Sequence, residues 1–266
     1  MSDTEKNPAT APQADRPVRA CLLIIGNEIL SGRTQDANLA HIAKRLNDWG
    51  IQLREVRVIP DVEATIVDTL NEVRAAFDYV FTTGGIGPTH DDITADCVAK
   101  AFGVPLDEHP DAIALLSRYY PPGELNAARR RMARVPRGGG LVPNPISQAP
   151  GFYIENVFVL AGVPSIMRAQ LEGTHPHLAG YKPVVSGTVS AFMGEGRIAA
   201  ALEALQGRYG DLDIGSYPFF KRGKLGTSLV MRGVDPARIE EAAVELRAII
   251  KSLGEEPIEG ELADEV

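Results

Sequence analysis

Several residue types that mark particular protein classes are scarce in this chain. Two cysteines occur in 266 residues, Cys21 and Cys97, and they form no CxxC pair. That excludes a disulfide framework or a cysteine-based zinc site, and both thiols sit in apolar runs that suit reduced core residues. No stretch approaches 18 consecutive apolar residues, and the N-terminal MSDTEKNPATAPQADRPVR has no apolar signal-peptide core. A soluble, cytoplasmic protein without membrane contact is expected. Basic residues are in deficit, with 27 Lys and Arg against 35 Asp and Glu for a formal charge of −8. A broad nucleic-acid footprint is therefore not expected. Two phosphate motifs are missing as well. GxxxxGK[ST] does not occur, which excludes a P-loop, and no GxGxxG follows the first apolar run.

The chain does contain an alternation of strand-like and helix-like segments. After a polar tail over 1–17, residues 19–26 read as a strand buried on both faces. Residues 34–49 carry Leu39, Ile42, Ala43, Leu46 and Trp49 at helical spacing, closed by Gly50. A strand over 51–60, a helix over 62–77, a strand over 79–83 and a helix over 91–102 follow. This is the spacing of βαβ units, so the fold class is α/β, a doubly wound, mainly parallel sheet. Residues 107–134 read as two helical pieces split by Pro121-Pro122-Gly123. Residues 136–151 are rich in glycine and proline, 152–160 a strand or hairpin, and 164–171 a short helix. The first domain is expected over 18–175. The pattern lapses near 173–183, and 183–253 then reads β-α-β-β-α, a smaller α+β domain. Residues 254–266 hold six acids and no base, an acidic tail expected to stay solvated and mobile. No internal repeat is present.

In open α/β sheets ligands bind outside the carboxyl ends of the strands. Two such ends carry unusual residues: Gly26-Asn27-Glu28 after the first strand, and Thr83-Gly84-Gly85-Ile86-Gly87-Pro88-Thr89-His90-Asp91-Asp92 after the third. Glycines let a ligand approach main-chain N–H groups, and a helix start favours an anion. Two adjacent carboxylates beside such a cradle would repel a phosphate, and the loop has no Lys or Arg. A divalent metal (Mg²⁺, Mn²⁺ or Co²⁺) bridging carboxylate and phosphate resolves that conflict. Asp91, Asp92 and Glu28 are its candidate ligands, although one aspartate of the pair could cap the helix. Glu28 is expected to project into the same crevice. Asp36 and Asn38 could cap the next helix, line the site, or both. His90 reads as an exposed loop residue. Arg129, Arg130, Arg131, Arg134 and Arg137 form the only basic cluster. Such a run suits a solvated helix face, with a phosphate or a second subunit as alternatives. Gly223-Lys224-Leu225-Gly226 matches the GxxG clamp of RNA-binding KH domains, but it sits in a hairpin, not between helices, and RNA binding is not expected.

Gly26-Asn27-Glu28-Ile29-Leu30-Ser31-Gly32, Asp36 with Asn38, and the run Thr83 to Asp92 resemble the molybdopterin-binding domain. That domain is shared by MoaB, MogA, the gephyrin G domain and the competence/damage-inducible protein A (CinA) family. The likeness is strongest to CinA, whose further loops are similar to Asn144 to Phe152 and Gly162-Val163-Pro164-Ser165. Gly215-Ser216-Tyr217-Pro218 resembles the start of its small KH-like middle domain. The resemblance spans roughly 19–253 and implies a three-layer sandwich. It implies a crevice for molybdopterin or a nucleotide, lined by Gly26, Asn27, Asn38, Thr83, Gly84, Gly85, Gly87, Pro88, Thr89, Thr94, Asn144, Gly162, Pro164 and Ser165. Asp92, Glu28 and Asp36 would carry the chemistry, with Asp92 essential.

In CinA-type members the domain is associated with metal-dependent hydrolysis of ADP-ribose-like pyrophosphates, and a related domain accompanies FAD synthase. The resemblance therefore implies a metal-dependent nucleotide pyrophosphatase. The alternatives are a molybdopterin-binding or adenylylating protein of molybdenum cofactor synthesis, or a degenerate domain kept for assembly. The partners implied are a phosphorylated small molecule and further copies of the chain in a homo-oligomer. The sequence departs from the pattern in three ways. The amidohydrolase domain of full-length CinA proteins is not expected here. Ala161-Gly162-Val163-Pro164 stands where Pro-Gly-x-Pro is usual, and Ile166 where an acid often follows Pro-Ser.

Overall fold

The structure is a computed structural model that describes residues 16–262 except Arg222. Most of the polar segment 1–17 and the last four acidic-tail residues lie outside the described residues. The chain divides into two compact units between Lys182 and Pro183.

The first unit runs β1 (Val18–Ile25), α1 (Asn27–Leu30), α2 (Leu39–Asp48), β2 (Ile51–Ile59), α3 (Glu63–Ala76), β3 (Tyr79–Thr83) and α4 (Thr94–Phe102). It continues with β4 (Leu106–Glu108), α5 (Pro110–Tyr119), α6 (Ala127–Arg130), β5 (Arg134–Pro136), β6 (Gly140–Val142), β7 (Gly151–Ile154), β8 (Val157–Leu160) and α7 (Pro164–Thr174). One sheet has the order β2-β1-β3-β8-β7-β6. The first four of these strands are parallel, β7 runs antiparallel to β8, and β6 runs antiparallel to β7. The chain leaves β1 toward β2, then crosses back over β1 to form β3 on its other side. Connections diverge at β1/β3, and that divergence opens a crevice at the carboxyl ends.

β1 is apolar on both faces because both are covered. Cys21, Leu23 and Ile25 pack with Ile66 and Leu70 of α3 and Val98 of α4. Leu22 and Ile24 pack with Ile42 and Leu46 of α2 and Met167 and Leu171 of α7. Each fully buried Leu, Ile or Val contributes about 1.5–3 kcal/mol. Cys21 and Cys97 are free and buried. Burial pushes their thiols up to about 12 and about 11, so neither is a nucleophile at neutral pH.

Several boundaries differ from the sequence expectations. The helix expected over 34–49 starts at Leu39, because the Asp36 carboxylate accepts from the backbone N–H groups of Asn38 (3.1 Å) and Leu39 (2.8 Å) and so caps α2. Residues 27–30 form a single helical turn that has no periodic signature. The helix expected from Asp91 starts at Thr94. A short strand, β4, pairs with β5, where only helix was expected before 134.

The second unit comprises β9 (Val185–Ala191), α8 (Glu195–Arg208), β10 (Asp213–Lys221), β11 (Lys224–Gly233), α9 (Pro236–Ser252) and β12 (Ile258–Glu259). Its antiparallel sheet has the order β10-β11-β9-β12. Val189, Leu229 and Met231 pack there against Ile198, Leu205, Ile239 and Leu246. The described part of the acidic segment 254–266 is not a free tail. Ile258 pairs with Ser190 in the sheet, the Ser190 hydroxyl donates to the Gly260 carbonyl (2.6 Å), and Arg247 holds Glu259 (2.7 Å). Two backbone pairs and an arginine from α9 outweigh the repulsion among its acids. Among the described residues no helix is long and apolar enough to cross a membrane.

Candidate functional site

The Thr83–Asp92 loop straddles the carboxyl edge of the sheet and offers a different wall to each side. Gly84 makes this possible. Its φ is +101°, and a Cβ there would lie 2.1 Å from the carbonyl oxygen of Ile25 in β1. Only glycine allows the loop to lie against the neighbouring strand end in that conformation. Gly84 N–H donates to the Leu160 carbonyl of β8 (3.2 Å), and the Thr94 hydroxyl donates to the Gly84 carbonyl (3.0 Å). The turn is thus tied to β1, β8 and α4 together.

On the α2/α7 side lies a cleft of about 380 Å³, counted out to open solvent. Its walls include Glu28, Asp36, Asn38, Thr83, Gly84, Gly162 and Pro164. Asn38 is buried, and its Nδ2 donates to the Gly162 carbonyl (2.8 Å), which turns Oδ1 away from that bond. Asn38 Oδ1 and the buried Thr83 Oγ1 both lack a hydrogen-bond partner among the described residues. A buried polar atom left unpaired costs about 1–3 kcal/mol. Two of them in the walls of one cleft, at the switch point of a doubly wound sheet, make this cleft the candidate ligand site. The walls contribute two carboxylates and no basic side chain.

On the α4 side a narrower pocket of about 290 Å³, also counted to solvent, is lined by Gly85, Gly87, Asp92, Arg131, Arg134 and Phe152 among others. Asp92 folds back over its own loop. Its Oδ2 accepts from the N–H (2.8 Å) and hydroxyl (2.5 Å) of Thr89, and a Cβ on Gly87 would meet that oxygen at 2.6 Å. Arg131 donates to the Asp92 carbonyl (3.0 Å), and Arg134 pairs with Asp96 of α4 (2.7 Å).

The expected site residues are therefore only partly brought together. Glu28, Asp36, Asn38, Thr83, Gly84, Gly162 and Pro164 share the cleft, whereas Asp92, Gly85 and Gly87 line the other pocket. The expected shared crevice of Glu28 and Asp92 is two spaces divided by the loop. Neither Asp91 nor Asp92 caps α4: Asp91 is exposed, Asp92 holds Thr89, and the cap position is Ile93 without a side-chain bond. Asp36 both caps a helix and lines the cleft. Thr94 braces Gly84 and is fully buried. Gly26 and Asn27 hold the β1 turn, Gly26 by its N–H to Ile59 (3.1 Å) and Asn27 by its N–H to Asp61 (2.8 Å). Pro88, Thr89 and Ser165 are exposed. Asn144 is spent on its own loop, donating to Ser147 and Ala149 and accepting from Ile146.

Among the described residues no three His, Cys, Asp or Glu side chains converge as a metal cage. The chain does not fit a resident ion held by protein ligands alone. An ion carried in on ligand phosphates would need only one or two protein carboxylates, and in the cleft those available are Glu28 and Asp36.

Two residues escaped the sequence reading, Asp61 and Gln170. Asp61 follows β2 and holds the Asn27 amide, and the strand-end rule that selects Glu28 could have found it. Gln170 interrupts the apolar face of α7; it accepts from Ala161 N–H (2.8 Å) and is fully buried. Within the basic cluster, Arg131 reaches the Asp92 carbonyl of the glycine loop from 39 residues away and Arg134 reaches Asp96 of α4 from 38, placements that no local signal announces.

Residues 21–180 match the family described as "Probable molybdopterin binding domain", and residues 183–256 match "FAD synthase, middle domain". A CinA-like protein of Citrifermentans bemidjiense is 40% identical over 170 residues, 61% of this chain and 41% of that protein. The chain thus spans well under half of that longer relative. A protein of Archaeoglobus fulgidus is 32% identical over 233 residues, covering 86% of this chain and 96% of its own length. The solved structure described as the protein CinA with unknown function, from Thermoplasma acidophilum, superposes with a TM-score of 0.57 at 34% identity. It covers 60% of this chain and 96% of the solved one.

Proposed function

This chain belongs to the molybdopterin-binding domain family, in its CinA-like branch, and on that premise we propose that the α2/α7 cleft binds a phosphorylated nucleotide and hydrolyses its pyrophosphate. The observation that carries the reading is the pair of unpartnered atoms, Asn38 Oδ1 and Thr83 Oγ1. Asn38 Oδ1 can only accept, so it calls for an N–H or O–H on the ligand, such as a ribose hydroxyl or a base amine. A phosphodiester or a fully ionised phosphate monoester has no such donor, so the phosphate groups of a nucleotide do not meet that need. The phosphates would lie toward Gly84, Gly162 and the start of α7, whose first turn has no side-chain cap. Asn38 and Thr83 would orient the nucleoside, and Glu28 would hold or move a proton at the mouth. A divalent ion arriving with the phosphates would supply charge neutralisation there.

The match of the second unit to a FAD synthase middle domain favours a dinucleotide of the ADP-ribose or FAD type. The family description favours a second reading, in which the cleft holds a pterin phosphate without hydrolysis. Incubation with ADP-ribose or FAD and Mg²⁺, Mn²⁺ or Co²⁺ should release AMP, and EDTA should abolish it. Asn38→Ala should raise KM, and Glu28→Gln should lower kcat. Absence of turnover with every metal, together with co-purified pterin fluorescence, would replace the first reading with the second.

A further inference from the structure

α7 buries two polar side chains and uses them differently. Thr174 is satisfied inside its own helix, its hydroxyl donating to the Leu171 carbonyl (2.7 Å). Gln170 is also fully buried, but both ends of its amide bond outside the helix. Its Oε1 accepts from the Ala161 N–H (2.8 Å), and its Nε2 donates to the Ala149 carbonyl (3.4 Å). Asn144 already holds the Ala149 carbonyl (2.8 Å), so the bond to Ala161 is the one that only Gln170 provides among the described residues. A core amide carries a desolvation cost that leucine or methionine would not incur at that position.

Ala161 opens the short turn between β8 and α7. Gly162, Val163 and Pro164 are exposed, so apolar packing does little to fix this turn. Alanine leaves φ unrestrained as well, where a proline would set it. Gln170 instead ties the first N–H of the turn into the core. One residue on, the Gly162 carbonyl accepts from Asn38 Nδ2 (2.8 Å) at the cap position of α2. The turn also lies against the glycine loop, where a Cβ on Gly162 would come within 3.4 Å of Gly84 Cα. The bonds therefore run in series from α7 through the turn to the start of α2. Their last member decides which end of the Asn38 amide stays unpaired. With Nδ2 on Gly162, the group left over is the acceptor Oδ1. Without that bond, the amide can rotate by half a turn and present a donor in its place.

We propose that Gln170 is the positioning residue of the α2/α7 cleft. By anchoring Ala161 it holds the Gly162 carbonyl on Asn38, and so sets Asn38 Oδ1 as the acceptor left for a ligand. Gln170 does not line the cleft and acts through the turn alone. Its effect on affinity rests on the reading of this cleft as a nucleotide site, whereas the series of bonds belongs to the ligand-free protein.

Amide exchange in the ligand-free wild type is the first test. The Ala161 N–H should exchange roughly 10-fold or more slowly than those of its exposed neighbours Gly162 and Val163. Gln170→Met keeps the length of the side chain and removes both bonds. It should release the Ala161 N–H to exchange, shift the Asn38 side-chain amide resonances, and weaken AMP, titrated with Mg²⁺ by calorimetry, by about 5- to 10-fold. Added to Asn38→Ala, the same change should cost no further AMP affinity, because its effect passes through Asn38, whereas a merely structural loss would add. Unmoved Asn38 resonances in Gln170→Met, or additive losses in the double variant, would overturn the proposal. Exchange of Ala161 as fast as Gly162 and Val163 in the wild type would overturn it too, and that measurement stands even if the methionine variant does not fold. Absence of AMP binding by the wild type would fail the nucleotide reading alone, with exchange and resonances still deciding the role of Gln170.

Discussion

The two units differ in how completely they satisfy their buried polar groups. In the second, the Ser190 and Ser228 hydroxyls lie 2.9 Å apart, Ser190 also donates to Gly260, and the Thr227 hydroxyl donates to Met193 (2.8 Å). In the first, Asn38 Oδ1, His41 Nε2, Thr82 Oγ1, Thr83 Oγ1 and the Nε atoms of Arg131 and Arg134 are buried without partners among the described residues. All but His41 and Thr82 belong to residues that line the two spaces beside the glycine loop. Folding normally satisfies buried polar groups, so leaving several open at one sheet edge indicates a place shaped for a ligand, while full satisfaction indicates a place shaped for stability.

The largest expected difference comes from the backbone. Gly84→Ala forces a positive φ on alanine and a Cβ into the Ile25 carbonyl, so it should cost more than about 4 kcal/mol and abolish ligand binding. Leu246→Ala, in the second unit's core, should cost about 2–5 kcal/mol in that unit and leave cleft affinity intact. Denaturant melts alongside nucleotide titrations separate the two outcomes, and intact binding in Gly84→Ala would refute the role given to the turn.

Hydroxyl deletions probe the contrast more finely. Thr83→Val removes an unpaired buried hydroxyl, so the ligand-free protein should be as stable as wild type or more so, while nucleotide affinity falls about 10-fold. Ser228→Ala removes a paired hydroxyl and strips the Leu262 N–H of its acceptor (3.2 Å), so it should cost about 1–3 kcal/mol with no change in affinity. Equal destabilisation by both would erase the distinction between the units.

The smallest effect concerns charge. The Arg16 guanidinium, with the Arg19 N–H, holds the Asp78 carboxyl below its ordinary range. A depressed folded pKa contributes stability above the unfolded value and loses it as pH falls toward the folded one. Asp78→Asn should therefore lower Tm slightly at neutral pH, with the difference fading below about pH 4. A difference that persists in acid would assign the effect to packing.

Apolar periodicity is local, which is why the alternation of strands and helices, the buried cysteines and the β-α-β-β-α run of the second unit were legible along the chain. Helix starts were misread by three to five residues at Leu39 and Thr94, because Asp36 and the Thr89–Asp92 turn set them through bonds that periodicity does not report. The acidic C-terminal segment was read as solvated from its charge, but its pairing with β9 depends on a strand that lies some 70 residues earlier.

The site divides along the same line. Sequence alone establishes that glycines and carboxylates stand at the ends of β1 and β3, since strand ends and turn residues are adjacent in the chain. It establishes the family too, through the run from Thr83 to Asp92. Tertiary structure decides that this loop separates two spaces instead of lining one, that Glu28 and Asp92 stand on opposite sides of it, and that Arg131 brings positive charge to a loop that has none. Strand order and a contact 39 residues long settle those points. The physical reason is that a side chain's partners are set by which strands become neighbours, and one strand's pattern carries no record of its neighbour's.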